Sequence, residues 1–282
     1  MQIVRPAGAQ DALEMVQEPL RASGAAGEVS FGILTRLVAE PDAWGTEVTI
    51  LVAVESGRPA ALVTMTGPHP ALIVAFTELG REAYAGLVAA MLAEGRRPSA
   101  VNGARDAAAS FADAFGAAGA KVQVRRDVRM FELRQVRPQP QPAGQARTAA
   151  VAETGLLERW TLAFFADVGE PETPAAAART VAHKLAHGDL LVWERDGGVV
   201  SMAGVVRRTA WSSSIALVYT PPELRGSGYG SAVVAALSQR ELDAGQEWCS
   251  LLADVANPTT NHIYTAIGYE PKCDMRHLVL AW

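Results

Sequence analysis

The sequence has few cysteines. Its 282 residues include only two, Cys249 and Cys273, and neither stands in a pair with metal-ligand spacing. Two thiols are too few for the disulfide framework of a small secreted domain, and a reducing cytoplasm is the usual setting for such a chain. We therefore expect two small buried apolar side chains, a cytoplasmic protein and no bound metal.

Long apolar runs and an excess of basic charge are also missing. Residues 1–8 lack a charged start followed by an apolar stretch, and no segment approaches the roughly 20 apolar residues of a transmembrane helix. Before Gln145 there are 14 basic and 15 acidic residues, and after it 11 basic and 15 acidic residues. Nucleic-acid binders normally carry a positive surface. The sequence therefore predicts a soluble protein that binds neither membrane nor nucleic acid.

Length and composition favour two globular domains. A chain of this length holds about two domains of typical size, and its hydrophobic content of 49% is that of an ordinary globular protein. The clearest boundary is residues 137–145, where three prolines alternate with glutamine. Proline-rich segments of this kind form extended linkers. We predict a first domain over 1–136, a linker over 137–146 and a second domain over 147–282.

The second half predicts a mixed sheet covered by helices. Apolar residues at helical spacing indicate two helices, and a glycine-containing turn at 195–198 indicates a hairpin. The predicted order is helices 153–167 and 173–187, strands 189–194, 199–207 and 213–220, helix 226–244, strand 248–253, helix 258–267 and strand 275–281. A meander that leads into a strand-helix-strand crossover implies an α+β fold with a mixed, mostly antiparallel sheet and helices on both faces.

The first half gives a similar order with weaker signals. It predicts helices 12–21 and 29–39, strands 48–54, 60–66 and 71–76, helices 81–94 and 106–116, and a strand pair over 122–133. Because the order echoes that of the second half while the residues differ, we interpret the two halves as a degenerate structural repeat.

A glycine-rich segment follows the third strand of the second half. Arg225-Gly226-Ser227-Gly228-Tyr229-Gly230-Ser231 places small residues where a helix begins. Backbone N–H groups at a helix N-terminus bind phosphate, and Arg225 adds a permanent charge. We therefore predict a phosphate cradle over 225–231. A helix start without a ligand is the alternative, whereas a dinucleotide site is disfavoured because Ser231 stands where its last glycine would be.

A second motif lies further along the chain. Asn257, Thr260, Tyr264, Gly268 and Tyr269 follow a predicted buried strand. Together with the glycine-rich segment and the preceding Pro-Glu-Leu, this pattern resembles the GCN5-related N-acetyltransferases, the GNAT family. The resemblance covers residues 147–282. It implies a tandem of GNAT-like domains in which the first, lacking both motifs, has lost its cofactor site.

The resemblance implies acetyl-CoA as the co-substrate. In the family, the strand before the cradle diverges from the next parallel strand, and its backbone pairs with the pantetheine arm. The matching positions are Val218, Tyr219 and Thr220. The other cofactor contacts would come from Arg225, Gly226, Ser227, Gly228, Tyr229, Gly230, Ser231 and Asn257.

The resemblance also implies that an amine attacks the thioester directly in a ternary complex. A backbone N–H of Val218 or Tyr219 would stabilise the oxyanion, and Tyr264 occupies the position of the usual general acid. A packed aromatic is the alternative for Tyr264. For the base, which the motif leaves open, Asp254 is the first candidate.

Glu194 and Glu170 are alternatives to Asp254, and each of the three carboxylates could instead be a solvated side chain. His183 and His187 could share a helix face, but Lys184 replaces the glutamate of a metalloprotease motif, so we expect a solvated helix edge.

The predicted activity is N-acetyl transfer to an amine of a small molecule or of a protein. A non-catalytic acyl-CoA sensor or scaffold is one alternative, and an enzyme that uses a longer acyl-CoA is another. The motifs identify neither the acceptor nor the oligomeric state, which could be a monomer or a homodimer.

Overall fold

The computed structural model describes residues 1–43, 45, 47–67 and 69–282. The chain divides into two compact units. The first unit contains residues 1–130, 253–256 and 271–282, and the second contains residues 131–252 and 257–270.

The first unit is built from short helices and strands whose apolar residues follow the expected periods. Its elements, in chain order, are β1 (Gln2–Val4), α1 (Ala9–Ala22), α2 (Glu28–Ala39), β2 (Val48–Glu55), β3 (Arg58–Thr66), β4 (Ala71–Ala75), α3 (Arg81–Ala93), β5 (Ala100–Ala104), α4 (Arg105–Ala117) and β6 (Lys121–Leu133), of which the last three residues belong to the second unit.

The sheet of the first unit follows the chain from β1 to β5 and continues with the last strand of the protein and then with β6. Strands β1 to β4 pair antiparallel, and β4 pairs parallel with β5. β12 (Glu270–Ala281) lies antiparallel to β5, with Met275 opposite Ala104 and Val279 opposite Ala100. Phe111, Phe115 and Leu87 are fully buried in the core beneath these strands.

The second unit holds the two sequence motifs. Its elements are β7 (Gln145–Thr148), α5 (Thr154–Asp167), α6 (Pro174–Ala186), β8 (Leu190–Arg195), β9 (Gly198–Arg208), β10 (Ser212–Tyr219), α7 (Tyr229–Asp243), β11 (Trp248–Asp254), whose last two residues belong to the first unit, and α8 (Pro258–Ile267).

The sheet of the second unit is antiparallel from β7 to β10, and β10 pairs parallel with β11. The β8–β9 hairpin turns through Asp196 and Gly197, both with positive φ, as a two-residue hairpin turn of type I′ requires. Leu157, Trp160 and Leu217 belong to the buried core on this sheet.

The two halves of the chain have the same element order. Each runs strand, two helices, three strands, helix, strand, helix, strand, apart from short 3₁₀ turns. The predicted mixed, mostly antiparallel α+β fold and its structural repeat are therefore confirmed. None of the helices within the described residues is long and apolar enough to cross a membrane.

Some element predictions were wrong. The strand pair over 122–133 is one continuous strand, β6, and the short strands β1, β5 and β7 were not predicted. The helix expected near Gly226 begins at Tyr229. Short strands carry too few residues for an alternating pattern to stand out, and β6 contains neither glycine nor proline to divide it.

The segment predicted as a linker is held against the second unit. The Arg137 N–H donates to the Ile267 carbonyl at 2.8 Å, and Gln139 Nε2 donates to the Ala266 carbonyl at 2.7 Å. Trp193 Nε1 donates to the Ala143 carbonyl at 3.1 Å. The compact units interleave along the chain because residues 271–282 join the first unit, and the domain bounds 1–136 and 147–282 stay a prediction.

Candidate functional site

Strand β10 contains a bulge near its end. Ala216 pairs with Gly204 and Tyr219 with Met202, so β10 has one more residue than β9 between these two pairs. Leu217 begins the bulge with φ of +53°, a conformation that costs a residue with a Cβ about 1–2 kcal/mol. Burial of its side chain in the core holds it there. No sequence pattern predicts this feature, because leucine rarely adopts positive φ.

Beyond the start of β10, its parallel partner departs. Among the described residues, the β10–β11 register runs from Ser212 opposite Trp248 to Ser214 opposite Ser250 and goes no further. At this last pair, the hydroxyl groups of Ser214 and Ser250 form a hydrogen bond of 2.8 Å. β10 continues to Tyr219 with an edge that faces away from β9 and is not paired to β11. The structure thus has the diverging strand that the resemblance implied.

The glycine-rich loop leads from β10 into α7. Gly226 and Gly228 have φ of +78° and +82°, and Gly228 is the residue that caps the helix. Within the described part of the chain, nothing lies within 4 Å of where a Cβ would stand on either glycine. Ser227 between them is exposed. The loop is therefore an open, exposed backbone segment at a helix N-terminus, which leaves room for a phosphate group.

Gly230 has a different role from the loop glycines. A Cβ at this position would stand 3.3 Å from Thr220 Oγ1, so the small residue lets the first turn of α7 approach the end of β10. Thr220 Oγ1 lies 2.9 Å from Ser201 Oγ, which also donates to the Tyr219 carbonyl at 3.1 Å. Ser231, next in the helix, is half-buried. These contacts fix the loop relative to the strand that precedes it.

Two arginines lie beside the cradle. Arg225 Nε donates to the Thr220 carbonyl at 2.9 Å, and its Nη2 donates to Asp167 Oδ2 at 2.7 Å. Arg195, on the β8–β9 hairpin, donates to the buried Tyr229 phenol at 2.5 Å. Sequence reasoning missed Asp167 and Arg195, since each is distant along the chain from its partner.

Tyr264 lies on α8 and is 8% exposed. Its ring packs edge-on against Phe131 and Tyr269, with centroids 6.1 and 6.0 Å away. Burial raises the pKa of Tyr264 to about 12, because the phenolate would lose its hydration. The phenol is therefore protonated throughout the neutral range and can donate a proton.

Asn257 begins α8. Its Oδ1 accepts from the Thr260 N–H at 3.2 Å, and Pro258 occupies the first helical position, so Asn257 is the helix cap. The predicted contact of Asn257 with the cofactor stays a prediction beside this structural role. Asp254, at the end of β11, accepts from the Ala256 N–H at 2.7 Å and is exposed.

The alternative carboxylates differ in their surroundings. Glu194 accepts from Arg147 Nε at 2.6 Å, and Arg147 also binds Glu153 with two hydrogen bonds. Glu170 is half-buried just after α5. Glu194 is therefore engaged in an ion pair, which disfavours it as a mobile proton acceptor.

His183 on α6 and His187, which caps the end of α6, lie side by side. Their ring centroids are 4.3 Å apart, and His187 Nδ1 lies 2.7 Å from the His183 carbonyl. The described residues contain no group of three or more potential metal ligands.

A buried charge network supports the start of β10 and the end of α7. Glu241, 3% exposed, accepts two hydrogen bonds from Arg208 at 2.7 and 3.0 Å and one from Ser213 at 2.7 Å. Arg240 donates to it at 3.1 Å, and Arg208 also contacts Asp189. Burial by itself raises the pKa of Glu241, but the Arg208 and Ser213 hydrogen bonds outweigh it, so the pKa is lowered.

Part of the chain matches a family model. Residues 194–277, which contain both motifs, match the model described as FR47-like protein, a GNAT-related family. No curated protein matches the chain in sequence.

Solved structures share the fold along nearly the whole chain. A GCN5-related N-acetyltransferase from Sphaerobacter thermophilus is similar over 98% of this chain and 94% of its own, with a TM-score of 0.64 and 18% identity. A GNAT-family acetyltransferase from Colwellia psychrerythraea is similar over 99% of each chain, with a TM-score of 0.64 and 8% identity.

A tandem GNAT protein from the clavulanic acid biosynthesis pathway is similar over 99% of this chain and 98% of its own, with a TM-score of 0.55 and 15% identity. The resemblance to the GNAT family is therefore confirmed, and the fold is that of tandem GNAT proteins.

Proposed function

We propose that residues 147–282 form an acetyl-CoA-dependent N-acetyltransferase that acts on an amine of a small molecule or of a protein. The observation that carries this proposal is the bulged, diverging end of β10, which lies directly before the open loop at the start of α7. A strand edge followed along the chain by an open helix N-terminus would suit an extended pantetheine arm with a diphosphate. The fold shared with acetyltransferases supports the same interpretation.

The loop and the strand would bind different parts of the cofactor. Backbone N–H groups around Gly226, Ser227 and Gly228 would hold the diphosphate, since positive φ at both glycines directs the backbone without side chains in the way. The edge of Val218 to Thr220 that does not pair with β9 would hydrogen-bond to the pantetheine amides as an added strand does. When bound, acetyl-CoA supplies the activated acetyl group.

The bulge would provide the electrostatic part of catalysis. Leu217 and Val218 have no partner on β9 in the described register. Their backbone N–H and C=O groups therefore point in other directions than those of a regular strand. We assign the N–H of Val218 or Tyr219 to the carbonyl oxygen of the thioester, where negative charge develops as the amine attacks. A fixed donor aimed at such an oxygen contributes several kcal/mol, about 3 in measured cases.

Tyr264 would donate the proton that the departing thiolate takes up. Its raised pKa keeps the phenol protonated at any physiological pH. Asp254 stays our candidate for accepting the proton of the acceptor ammonium, and Glu170 is the alternative.

Two measurements test the proposal. Isothermal titration calorimetry with CoA should show binding to the purified chain, and no heat of binding would contradict the site. Release of free thiol from acetyl-CoA in the presence of a panel of amines should then reveal turnover. Binding without turnover for every amine would favour the acyl-CoA sensor, and a preference for propionyl- or succinyl-CoA would favour a longer acyl donor.

A further inference from the structure

The side chain of Arg225 already has hydrogen-bonding partners within the protein. Its Nε donates to the Thr220 carbonyl at 2.9 Å, its Nη2 donates to Asp167 at 2.7 Å, and its charge lies 5.8 Å from the centre of the Tyr219 ring. The guanidinium thus lies at the end of β10, beside the cradle. One of its N–H donors, on Nη2, is bound to a carboxylate.

Asp167 offers Arg225 the same chemistry that a phosphate would offer. It is the last residue of α5, and its carboxylate oxygen accepts a charged hydrogen bond as a phosphate oxygen does. A guanidinium that binds Asp167 through Nη2 must give up or share that donor to bind a diphosphate held by the neighbouring loop. The two anions also repel each other.

We infer that Asp167 is an internal counter-ion that competes with the diphosphate of the cofactor for Arg225. This inference rests on the proposed function, because it needs a diphosphate in the cradle. The ligand-free protein holds Arg225 in the paired state, and the cofactor binds fully only when the pair opens. Asp167 thereby lowers the affinity for the cofactor and makes its release easier.

The size of the effect follows from the exposure of the pair. The side chains of Arg225 and Asp167 are 51% and 53% exposed, so water screens their attraction. Half-exposed ion pairs are weak, and opening one reduces the affinity of a competing ligand by about two- to fivefold. The device therefore adjusts cofactor affinity without blocking the site.

The opposite role for Asp167 makes the opposite prediction. If Asp167 were a brace that holds Arg225 in position for the diphosphate, its removal would weaken cofactor binding. The sign of the change therefore separates the two roles.

The experiment is calorimetric titration of CoA into the full chain and its variants at several NaCl concentrations. We expect Asp167→Asn to bind CoA about two- to fivefold more tightly. We also expect a steeper loss of affinity with salt, because the unpaired Arg225 gathers a chloride ion that must leave. Asp243→Asn is the matched control, since Asp243 is also the exposed last residue of its helix, α7.

A double-mutant cycle with Arg225→Gln shows whether the effect passes through this arginine. In the Arg225→Gln background, Asp167→Asn should leave CoA affinity nearly unchanged, whereas a general effect of negative charge would persist. Thermal unfolding of the ligand-free variants checks that each is folded and gives a readout that needs no cofactor.

Weaker or unchanged CoA binding by folded Asp167→Asn would overturn the inference. A tighter complex for Asp243→Asn as well would also overturn it, because the gain would then reflect net charge. If the wild-type chain and Asp243→Asn both fail to bind CoA, the proposed function fails and the inference fails with it.

Discussion

The two strand–helix connections that correspond in the two halves differ at the backbone. In the first unit, β4 leads to α3 through residues 76–80, and the cap of α3, Gly80, has an extended backbone with φ of −73°. In the second unit, β10 leads to α7 through 220–228, and the cap Gly228 is left-handed. The same element order therefore carries one connection with an extended cap and one with a left-handed, open cap.

The parallel strand pairs, β4–β5 in the first unit and β10–β11 in the second, differ in the same way: the first is closed and the second leaves a strand edge open. In the first unit the last pair is Ile73 with Gly103, and a Cβ on Gly103 would stand 2.6 Å from the Ile73 carbonyl, so the two strands lie close together. In the second unit the last pair is Ser214 with Ser250, and the bulge at Leu217 follows. The first unit closes the place where the second unit opens a strand edge.

The helices after these strands also differ. α4 of the first unit buries Phe111 and Phe115, which have no proton to donate, whereas α8 buries the phenol of Tyr264. The comparison shows that a repeated fold preserves the order of its elements while the two halves differ in a few backbone angles and in one buried hydroxyl.

The largest effect is expected from filling the cradle. Gly228→Trp should abolish CoA binding, because the ring would occupy the open space above the loop, and the left-handed backbone adds about 1–2 kcal/mol of strain. Gly57→Trp, with φ of +78° and equally open surroundings in the first unit, is the control for strain. Gly80→Trp is the control at the helix cap of the first unit that corresponds to Gly228. Calorimetry should show retained affinity in both controls, and retained affinity in Gly228→Trp would contradict the site.

Loss of Glu241 should destabilise the second unit more than a matched change destabilises the first. Glu241→Gln removes one of the two buried carboxylates that Arg208 contacts, which should cost about 2 kcal/mol. In the first unit, Asp127 pairs with Arg276 and Arg105 at a more exposed site, so Asp127→Asn should cost about 1 kcal/mol. Urea unfolding measures both, and equal losses would contradict the ranking.

The pH dependence of the same variant has a definite sign. The pKa of Glu241 is lowered in the folded protein, so its contribution to stability is present above its unfolded pKa, near 4.5, and is lost as the pH falls through the folded value. Glu241→Gln should therefore show a shallower loss of stability below pH 4.5 than the wild type. Identical acid slopes would show that other carboxylates account for the acid transition.

Tyr264→Phe should slow turnover by roughly 100-fold while leaving CoA affinity nearly unchanged, because it removes the proton donor and keeps the ring. Steady-state kinetics should place the loss in kcat and not in KM for acetyl-CoA. Since burial raises the pKa of Tyr264 to about 12, the wild-type rate should show no decline from its ionisation below pH 10. Unchanged kcat would assign Tyr264 to packing alone.

The smallest effect on CoA binding is expected at the closed strand pair. Gly103→Ser copies the residue that Ser250 provides in the second unit, but its Cβ would meet the Ile73 carbonyl, so the variant should lose about 2 kcal/mol of stability. Its CoA affinity should be unchanged. Thermal unfolding and calorimetry test the two parts, and a weaker CoA complex would show that the first unit contributes to the site.

Most of the fold was predictable from the sequence because its signals are local. The β8–β9 hairpin was expected from a glycine-containing turn, and α8 was confirmed with the bounds 258–267. The Thr173-Pro174 start of α6 was also confirmed, since Thr173 caps the helix at 3.2 Å. The strand β12 was predicted, but its pairing with β5 was not, because β12 lies far from β5 in sequence.

The candidate site was predictable only in part. The glycine spacing indicated the cradle and the diverging strand through the family resemblance, and the described residues have positive φ at Gly226 and Gly228 and a β10–β11 register that ends at Ser214. The roles of Tyr264, Asp254 and Asn257 stay predictions. Leu217 and Asp167 could not have been identified, since a buried leucine with positive φ and an exposed aspartate at a helix end carry no sequence pattern.

The sequence by itself determined the element order, the helix caps and the glycine-rich loop, because each depends on residues that are neighbours in the chain. Only the tertiary structure decided where β10 bulges, where β11 leaves it and which carboxylate reaches Arg225. Those features arise from contacts between residues far apart in sequence, in which core packing outweighs the local preference of Leu217.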